Sequence, residues 1–92
     1  MITAFVLIEA EPGAIAELGQ ALADTEGVRE AHSVAGSDTD LVAIVQVVDH
    51  EAIATTVTER IAKLPGIIAT TTMIAFRSYS SAQLDASWEG IG

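Results

Sequence analysis

The sequence predicts an α+β domain in which two helices cover one face of a four-stranded antiparallel sheet. The first observation is the order of the predicted elements, which is βαββαβ. The second is an internal repeat, because a displacement of 39 residues that puts Ile2 on Leu41 also puts Gly27 on Gly66. Two βαβ halves with right-handed crossovers interleave into one antiparallel sheet. This arrangement is the ferredoxin-like fold.

Each element has its own local signal. Apolar, β-prone runs predict strands over residues 2–9, 28–35, 41–48 and 67–76. Pro12 suits the first turn of the first helix, and Asp49 suits the N-cap of the second. The apolar positions of the two helices recur at helical spacing, and they are Ile15, Leu18 and Leu22 in the first helix and Ile53, Val57, Ile61 and Leu64 in the second.

Both faces of the predicted sheet are apolar. In the first strand Val6 and Ile8 alternate with Phe5 and Leu7, and the third strand repeats the pattern. The two helices cover one face only, and an exposed apolar sheet of this size indicates an interface. We expect a homodimer whose sheets pack face to face, and higher homo-oligomers built from it. The alternative is a monomer whose open face is covered by its C-terminal tail.

Composition excludes several classes of function. The 92 residues form one domain with a formal charge of −9, which disfavours direct binding to nucleic acid and to anionic membrane surfaces. Cysteine is absent, so there is no disulfide and no thiolate metal site. His32 and His50 lie on different elements without metal-ligand spacing. We expect no metal, no cofactor and no catalytic residue, and a cytoplasmic location because no leader or membrane segment is apparent.

The connection between the second and third strands is longer than a hairpin requires. A tight hairpin needs two turn residues, whereas this connection contains Gly36, Ser37, Asp38, Thr39 and Asp40. It therefore brings two carboxylates and two hydroxyls to one end of the sheet. It is either a solvated turn or part of a binding site.

The whole-chain pattern resembles the effector-binding domain of the Lrp/AsnC family, the feast/famine regulators of amino-acid metabolism. The resemblance covers residues 1–77 and is carried by "MITAFVLIEAEPG", "VAGSDTDLVAIV" and "TTTMIAF". Gly36 and Asp40–Leu41 match the glycine and the Asp-apolar pair of the family pattern. The spacer between them is one residue longer than in the family and contains no tyrosine. Residues 78–92 form a polar tail outside the resemblance.

The resemblance implies an amino-acid site in which this connection takes part, between neighbouring dimers. Asp38 or Asp40 would pair with the ligand ammonium, and backbone N–H groups near Gly36 would bind its carboxylate. The predicted ligand-binding set is Gly36, Ser37, Asp38, Thr39, Asp40, Leu41, Thr70, Thr71 and Thr72. The threonines would supply hydroxyls, although β propensity alone also explains them.

Three functions remain open at this point. The resemblance implies a stand-alone sensor domain, without the family's helix-turn-helix, that binds an amino acid or related small metabolite. It would regulate transcription indirectly, through its own oligomers or through full-length Lrp/AsnC regulators. The alternatives are a small ferredoxin-like dimeric enzyme of monooxygenase or isomerase type, acting in an apolar cleft, and an oligomerisation module without a ligand. The fold does not decide between them.

Overall fold

The computed structural model describes residues 1–81 and contains the predicted order of elements. The strands are β1 (Ile2–Ala10), β2 (Val28–Ser33), β3 (Leu41–Val47) and β4 (Ile67–Ile74). A 3-10 turn over Pro12–Ala14 leads into helix α1, Ile15–Ala23. Helix α2 begins as an α-helix over His50–Ala54, continues as a π-helix over Thr55–Arg60 and ends as a 3-10 turn over Ile61–Lys63.

The four strands form one antiparallel sheet in the order β2-β3-β1-β4. The central pair places Phe5 opposite Ile44 and Ile8 opposite Leu41. The two halves of the repeat thus interleave, since β1 and β3 occupy the centre and β2 and β4 the edges. The predicted ferredoxin-like fold is confirmed.

One face of the sheet packs on the helices and forms the core. Alternate residues of β1 and β3 are buried there, together with residues from both helices. The buried apolar set is Ala4, Val6, Ile8, Ala10, Leu18, Leu22, Leu41, Ala43, Val45, Val47, Ile53 and Ile61. The alternation that predicted two different faces for each central strand is confirmed.

Helix α2 differs from its prediction in one turn. Asp49 is its N-cap as expected, because its Oδ1 accepts a hydrogen bond of 2.8 Å from the N–H of Ala52. Val57 packs against the core as expected but is only partly buried, and the neighbouring Thr56 is the fully buried residue of this turn. A π-helix bonds across five residues, and the N–H of Ile61 bonds to the carbonyl of Thr56. The wider turn therefore directs Thr56 and Ile61 to the same side.

The edge strands are shorter than predicted. Strand β2 ends at Ser33, two residues before the predicted end at Ala35, and β4 ends at Ile74, two residues before Phe76. The last backbone bond that ties β4 to the sheet runs from the N–H of Ala75 to the carbonyl of Thr3, 2.9 Å. Strand β2 ends opposite Leu41, the first residue of β3, whereas β4 ends opposite Ala4 although β1 extends to Ile2.

The second face of the sheet, here called the open face, has no covering element among residues 1–81. The strand registers align Phe5 with Ile44 and Met73, and Leu7 with Val42. Phe5 is 37% exposed and Met73 is 50% exposed. An apolar strip thus crosses β3, β1 and β4 on the side away from the helices. No helix in this part of the chain is long and apolar enough to span a membrane.

Candidate functional site

The connection between β2 and β3 is an exposed loop anchored at its two ends. Gly36 has a φ of +114°, and no atom lies within 4 Å of the position that a Cβ would occupy. The N–H of Thr39 donates to the Oγ of Ser37 at 3.1 Å, and the N–H of Val34 donates to the carbonyl of Asp40 at 3.0 Å. Asp38 is exposed and has no hydrogen-bonding or ionic partner within residues 1–81.

Asp40 has a structural role at the base of this loop. Its Oδ2 accepts a hydrogen bond of 2.9 Å from the N–H of Ala10, and its own N–H donates to the carbonyl of Ile8 at 2.8 Å. Both contacts lie on the β3 side of β1, where the regular pairing with β3 ends at the Ile8–Leu41 pair. The Ala10 amide lies beyond that pair, and the Asp40 carboxylate accepts a hydrogen bond from it in place of a strand carbonyl. Asp40 thereby fixes the loop to the end of β1.

This contact predicts how substitutions of Asp40 change stability. Asp40→Ala removes the acceptor of the half-buried Ala10 amide, so we expect a loss of about 1–3 kcal/mol in the free energy of unfolding. Asp40→Asn retains a carbonyl oxygen at the same place and is the matched control, with an expected loss below about 1 kcal/mol. Urea unfolding of both variants measures the difference. Equal losses for the two variants would contradict the structural role of this carboxylate.

The tip of the loop presents backbone donors to solvent. The N–H groups of Gly36, Ser37 and Asp38 make no hydrogen bond to any part of the described chain. Three successive free amides around a glycine with positive φ are a feature of anion-binding backbone concavities. The carboxylate of Asp38 is adjacent to them in the sequence. The loop tip therefore offers donors for an anion and an acceptor for a cation within three residues.

A groove of about 630 Å³ begins where this loop joins the sheet. It runs between α1 and β2, with Leu41 and Ala31 on the sheet side. The helix side consists mostly of residues with small side chains, which leaves the space open. The complete lining is Pro12, Gly13, Ile15, Ala16, Gly19, Gln20, Ala23, Ala31, Ser33 and Leu41.

The predicted site residues fall into two groups. Gly36, Ser37, Asp38, Thr39 and Asp40 form the loop, and Leu41 joins it to the groove. The threonines of β4 lie across the sheet from this loop. Their partners in β1 are Ile8 for Thr70, Leu7 for Thr71 and Val6 for Thr72.

The three threonines do not converge within one chain. Thr71 lies on the open face, whereas Thr70 and Thr72 are on the helix side. Thr70 is two strand spacings, about 10 Å, from Leu41, and the other two are farther along β4. Within one chain, the loop and these hydroxyls therefore lie on different strands and do not form one compact site.

Sequence reasoning missed the groove. Pro12, Gly13 and Ala16 line it, and of these only Pro12 had a predicted role, at the start of the first helix. The spacing of Ala16, Gly19 and Ala23 along one side of α1 was the available signal, because such positions leave room beside a helix. That signal is weak without knowledge of which strand lies opposite.

Glu30 and His32 form a separate polar pair on the open face of β2. They stand opposite Ile44 and Val42, and the His32 Nε2 lies 2.7 Å from the Glu30 Oε2. This hydrogen bond from His32, opposed by slight desolvation, lowers the pKa of Glu30 below its ordinary value. Within residues 1–81 no group of three metal-ligating side chains comes together.

The comparisons with known proteins agree with this architecture. The model of the Lrp/AsnC ligand-binding domain matches residues 3–84. The crystal structure of TTHA0845 from Thermus thermophilus is 44% identical, has a TM-score of 0.81, and aligns over 87% of this chain and 99% of its own. FFRP-DM1 is 36% identical with a TM-score of 0.76, over 83% of this chain and 100% of its own.

A more distant structure extends the comparison to a longer regulator. The transcriptional regulator NMB0573 from Neisseria meningitidis, solved as a complex with L-Met, has a TM-score of 0.76 at 14% identity. The alignment covers 86% of this chain and 52% of that regulator, so the chain spans about half its length. None of the proteins with curated functions matches the sequence.

The chain belongs to the Lrp/AsnC ligand-binding domain family. Its class is thus that of regulatory effector-binding domains, and the family resemblance seen in the sequence is confirmed.

Proposed function

We propose that this chain binds a free amino acid at the loop between β2 and β3. The observation that carries the proposal is the loop tip, where three consecutive amides and the carboxylate of Asp38 have no hydrogen-bonding partner within residues 1–81. A zwitterionic amino acid needs an acceptor for its ammonium group and donors for its carboxylate. The complex of the related fold in NMB0573 with L-Met supports a ligand of this class.

The proposal gives a role to each part of the loop and the groove. Asp38 accepts from the ligand ammonium, because the Asp40 carboxylate is already bonded to the Ala10 amide. The amides of Gly36 and Ser37 bind the ligand carboxylate. The ligand side chain then enters the groove beside Leu41, where the apolar Ile15 and the polar Gln20 and Ser33 all contribute to the lining. Binding, not catalysis, is the proposed activity.

The functional form is an oligomer. We infer a homodimer in which two open faces pack together, since the strip formed by Phe5, Leu7, Val42, Ile44 and Met73 is otherwise left in water. Higher assemblies would bring the β4 threonines of one copy towards the loop of another. The effect on transcription is exerted through self-assembly or through regulators that carry their own DNA-binding domain.

A ligand screen tests the proposal directly. Purified protein is heated with each of the twenty amino acids at millimolar concentration, and the melting temperature is recorded. A ligand at 100 times its Kd stabilises the native state by about 2.7 kcal/mol, which is several degrees for a domain of this size. At least one amino acid is expected to give a saturable increase. No change with any of them would contradict amino-acid binding.

The site assignment predicts a specific loss of affinity. Asp38→Asn keeps the shape of the loop but removes the charge that pairs with the ammonium group. We expect weakening by about 1.5–3 kcal/mol, the range for a hydrogen bond to a charged group, with an unchanged melting temperature of the free protein. Isothermal titration with the amino acid found in the screen measures it. Ser37→Ala is the control, and equal affinity for Asp38→Asn and the parent would refute the assignment.

A further inference from the structure

Residues 76–81, here called the C-terminal arm, carry the most exposed aromatic side chains of the described chain. Phe76 is 97% exposed and Tyr79 is 81% exposed. The arm leaves the sheet directly after the bond between Ala75 and Thr3. Each such ring can bury roughly 150–250 Å², so two of them in water are a large apolar surface for so short a segment.

The arm does not cover its own sheet. Phe5 and Met73 stay 37% and 50% exposed on the open face, although Met73 precedes the arm by only three residues. Residues 76–81 therefore do not cover the open face, as the monomeric alternative would require of the tail. Residues 82–92, including Trp88, lie outside the described part of the chain.

The arm begins at the edge of the open face, which is the surface proposed as the dimer interface. Met73 lies opposite Phe5 at the β4 edge of the open face, and the arm begins where this edge ends. When the open faces of two copies pack together, an arm leaving that edge lies beside the second copy. The aromatic rings then have an apolar surface within reach that their own chain does not provide.

The charge of the arm also favours a second copy as its partner. Arg77 stands between the two rings, is the one basic residue of residues 64–92, and has no ion pair within residues 1–81. The chain as a whole has a formal charge of −9, and its open face carries Glu9 and Glu30. Every further copy thus presents carboxylates to this guanidinium. Tyrosine and arginine are also the residue types that dominate interface energies.

We propose that the C-terminal arm of one copy binds the second copy, with Phe76 and Tyr79 as anchors and Arg77 facing its carboxylates. The inference rests on the proposed dimer and adds to it an exchanged segment at the rim of the sheet interface. Each copy donates one arm and receives one, as expected for a two-fold interface.

Sedimentation over a dilution series tests the contribution of the arm. Phe76→Ala/Tyr79→Ala is expected to raise the dimer Kd at least tenfold relative to the parent, with unchanged circular dichroism. Ile74→Ala is the matched control, because this half-exposed side chain lies on the helix side of β4, and its Kd should change less than twofold. If the double variant has the same dimer Kd as the parent, the proposed role of the arm is wrong, but the sheet dimer is not contradicted. A parent that stays at 9.6 kDa overturns both.

A cross-linking experiment identifies the surface that the arm contacts. The chain has no cysteine, so a photoreactive maleimide attached to Ser78→Cys labels a single site in the arm and keeps both aromatic anchors. Irradiation of the purified protein, mixed with an isotope-labelled copy, is expected to give pairs of mixed mass. Cross-links confined to single chains would overturn the proposal. The same label on Gln20→Cys, which lies on α1 away from the open face, provides the background level.

Discussion

Val45→Asp is expected to abolish folding of the domain. Val45 is fully buried on the helix side of β3, between Ala4 in β1 and Val28 in β2. The substitution removes apolar burial and places an unpaired carboxylate in the core, at a cost on the order of 5 kcal/mol. That cost is comparable with the whole stability of a small domain. Circular dichroism at 25 °C should show a largely unfolded chain.

Ile44→Asp, the equivalent substitution one residue earlier, is expected to prevent dimerisation without preventing folding. Ile44 lies on the open face opposite Phe5 and is half-buried. Ile44→Asp leaves the core intact, so the secondary structure should be retained. It places charges opposite each other in the proposed dimer, where like charges are costly. Sedimentation is expected to give a 9.6 kDa monomer, and a stable dimer for Ile44→Asp would refute the sheet interface.

Gly27→Ala is expected to be strongly destabilising for a change of a single methyl group. Gly27 has a φ of +96°, and an added Cβ would lie 2.5 Å from the Oγ1 of the buried Thr56. Backbone strain at such a position costs about 1–3 kcal/mol, and overpacking adds a similar amount. We therefore expect a loss of roughly 2–5 kcal/mol in the free energy of unfolding, measured by urea denaturation at fixed protein concentration.

Two further variants divide this loss into its causes. Gly36→Ala shares the positive φ but has open space around the new methyl group, so it should show the strain alone. In a Thr56→Ala background the nearest atoms are removed, and Gly27→Ala should then cost about as much as Gly36→Ala does. If Gly27→Ala and Gly36→Ala lower the free energy of unfolding of the parent equally, the close contact between Gly27 and Thr56 does not contribute to the loss.

Most of the fold was predictable because the two halves of the chain repeat the same pattern of strand, helix and glycine. The repeat aligned Gly27 with Gly66, and both adopt a φ close to +97° at the entry to an edge strand. The alternation in β1 and β3 correctly separated the helix side from the open face. The π-helical turn in α2 was not predictable, since apolar spacing favoured Val57 and a buried threonine gives no such signal. The hydroxyl of Thr58 bonds to the carbonyl of Ala54 at 2.6 Å, a contact that commonly distorts helices.

The candidate site was predictable only in part. The length and polarity of the Gly36–Asp40 loop marked it for attention, but the two aspartates could not be told apart. Their difference arises at the end of the β1–β3 pairing, where the Ala10 amide bonds to Asp40, whereas Asp38 lies two residues farther into the exposed loop. The groove arises from the packing of α1 against β2, which a one-dimensional pattern does not specify. The separation of the threonines from the loop follows from the strand order, which places β1 between β3 and β4.

The most direct test of amino-acid recognition is a pair of titrations on the unmodified chain. The amino acid that stabilises the protein is titrated calorimetrically beside its analogue that lacks the amino group. The proposed pairing of the ammonium group with Asp38 predicts saturable binding of the amino acid and at least about tenfold weaker binding of the analogue, because the lost charged hydrogen bond is worth about 1.5–3 kcal/mol. Equal affinity for the two compounds, or no binding of either, would contradict the account.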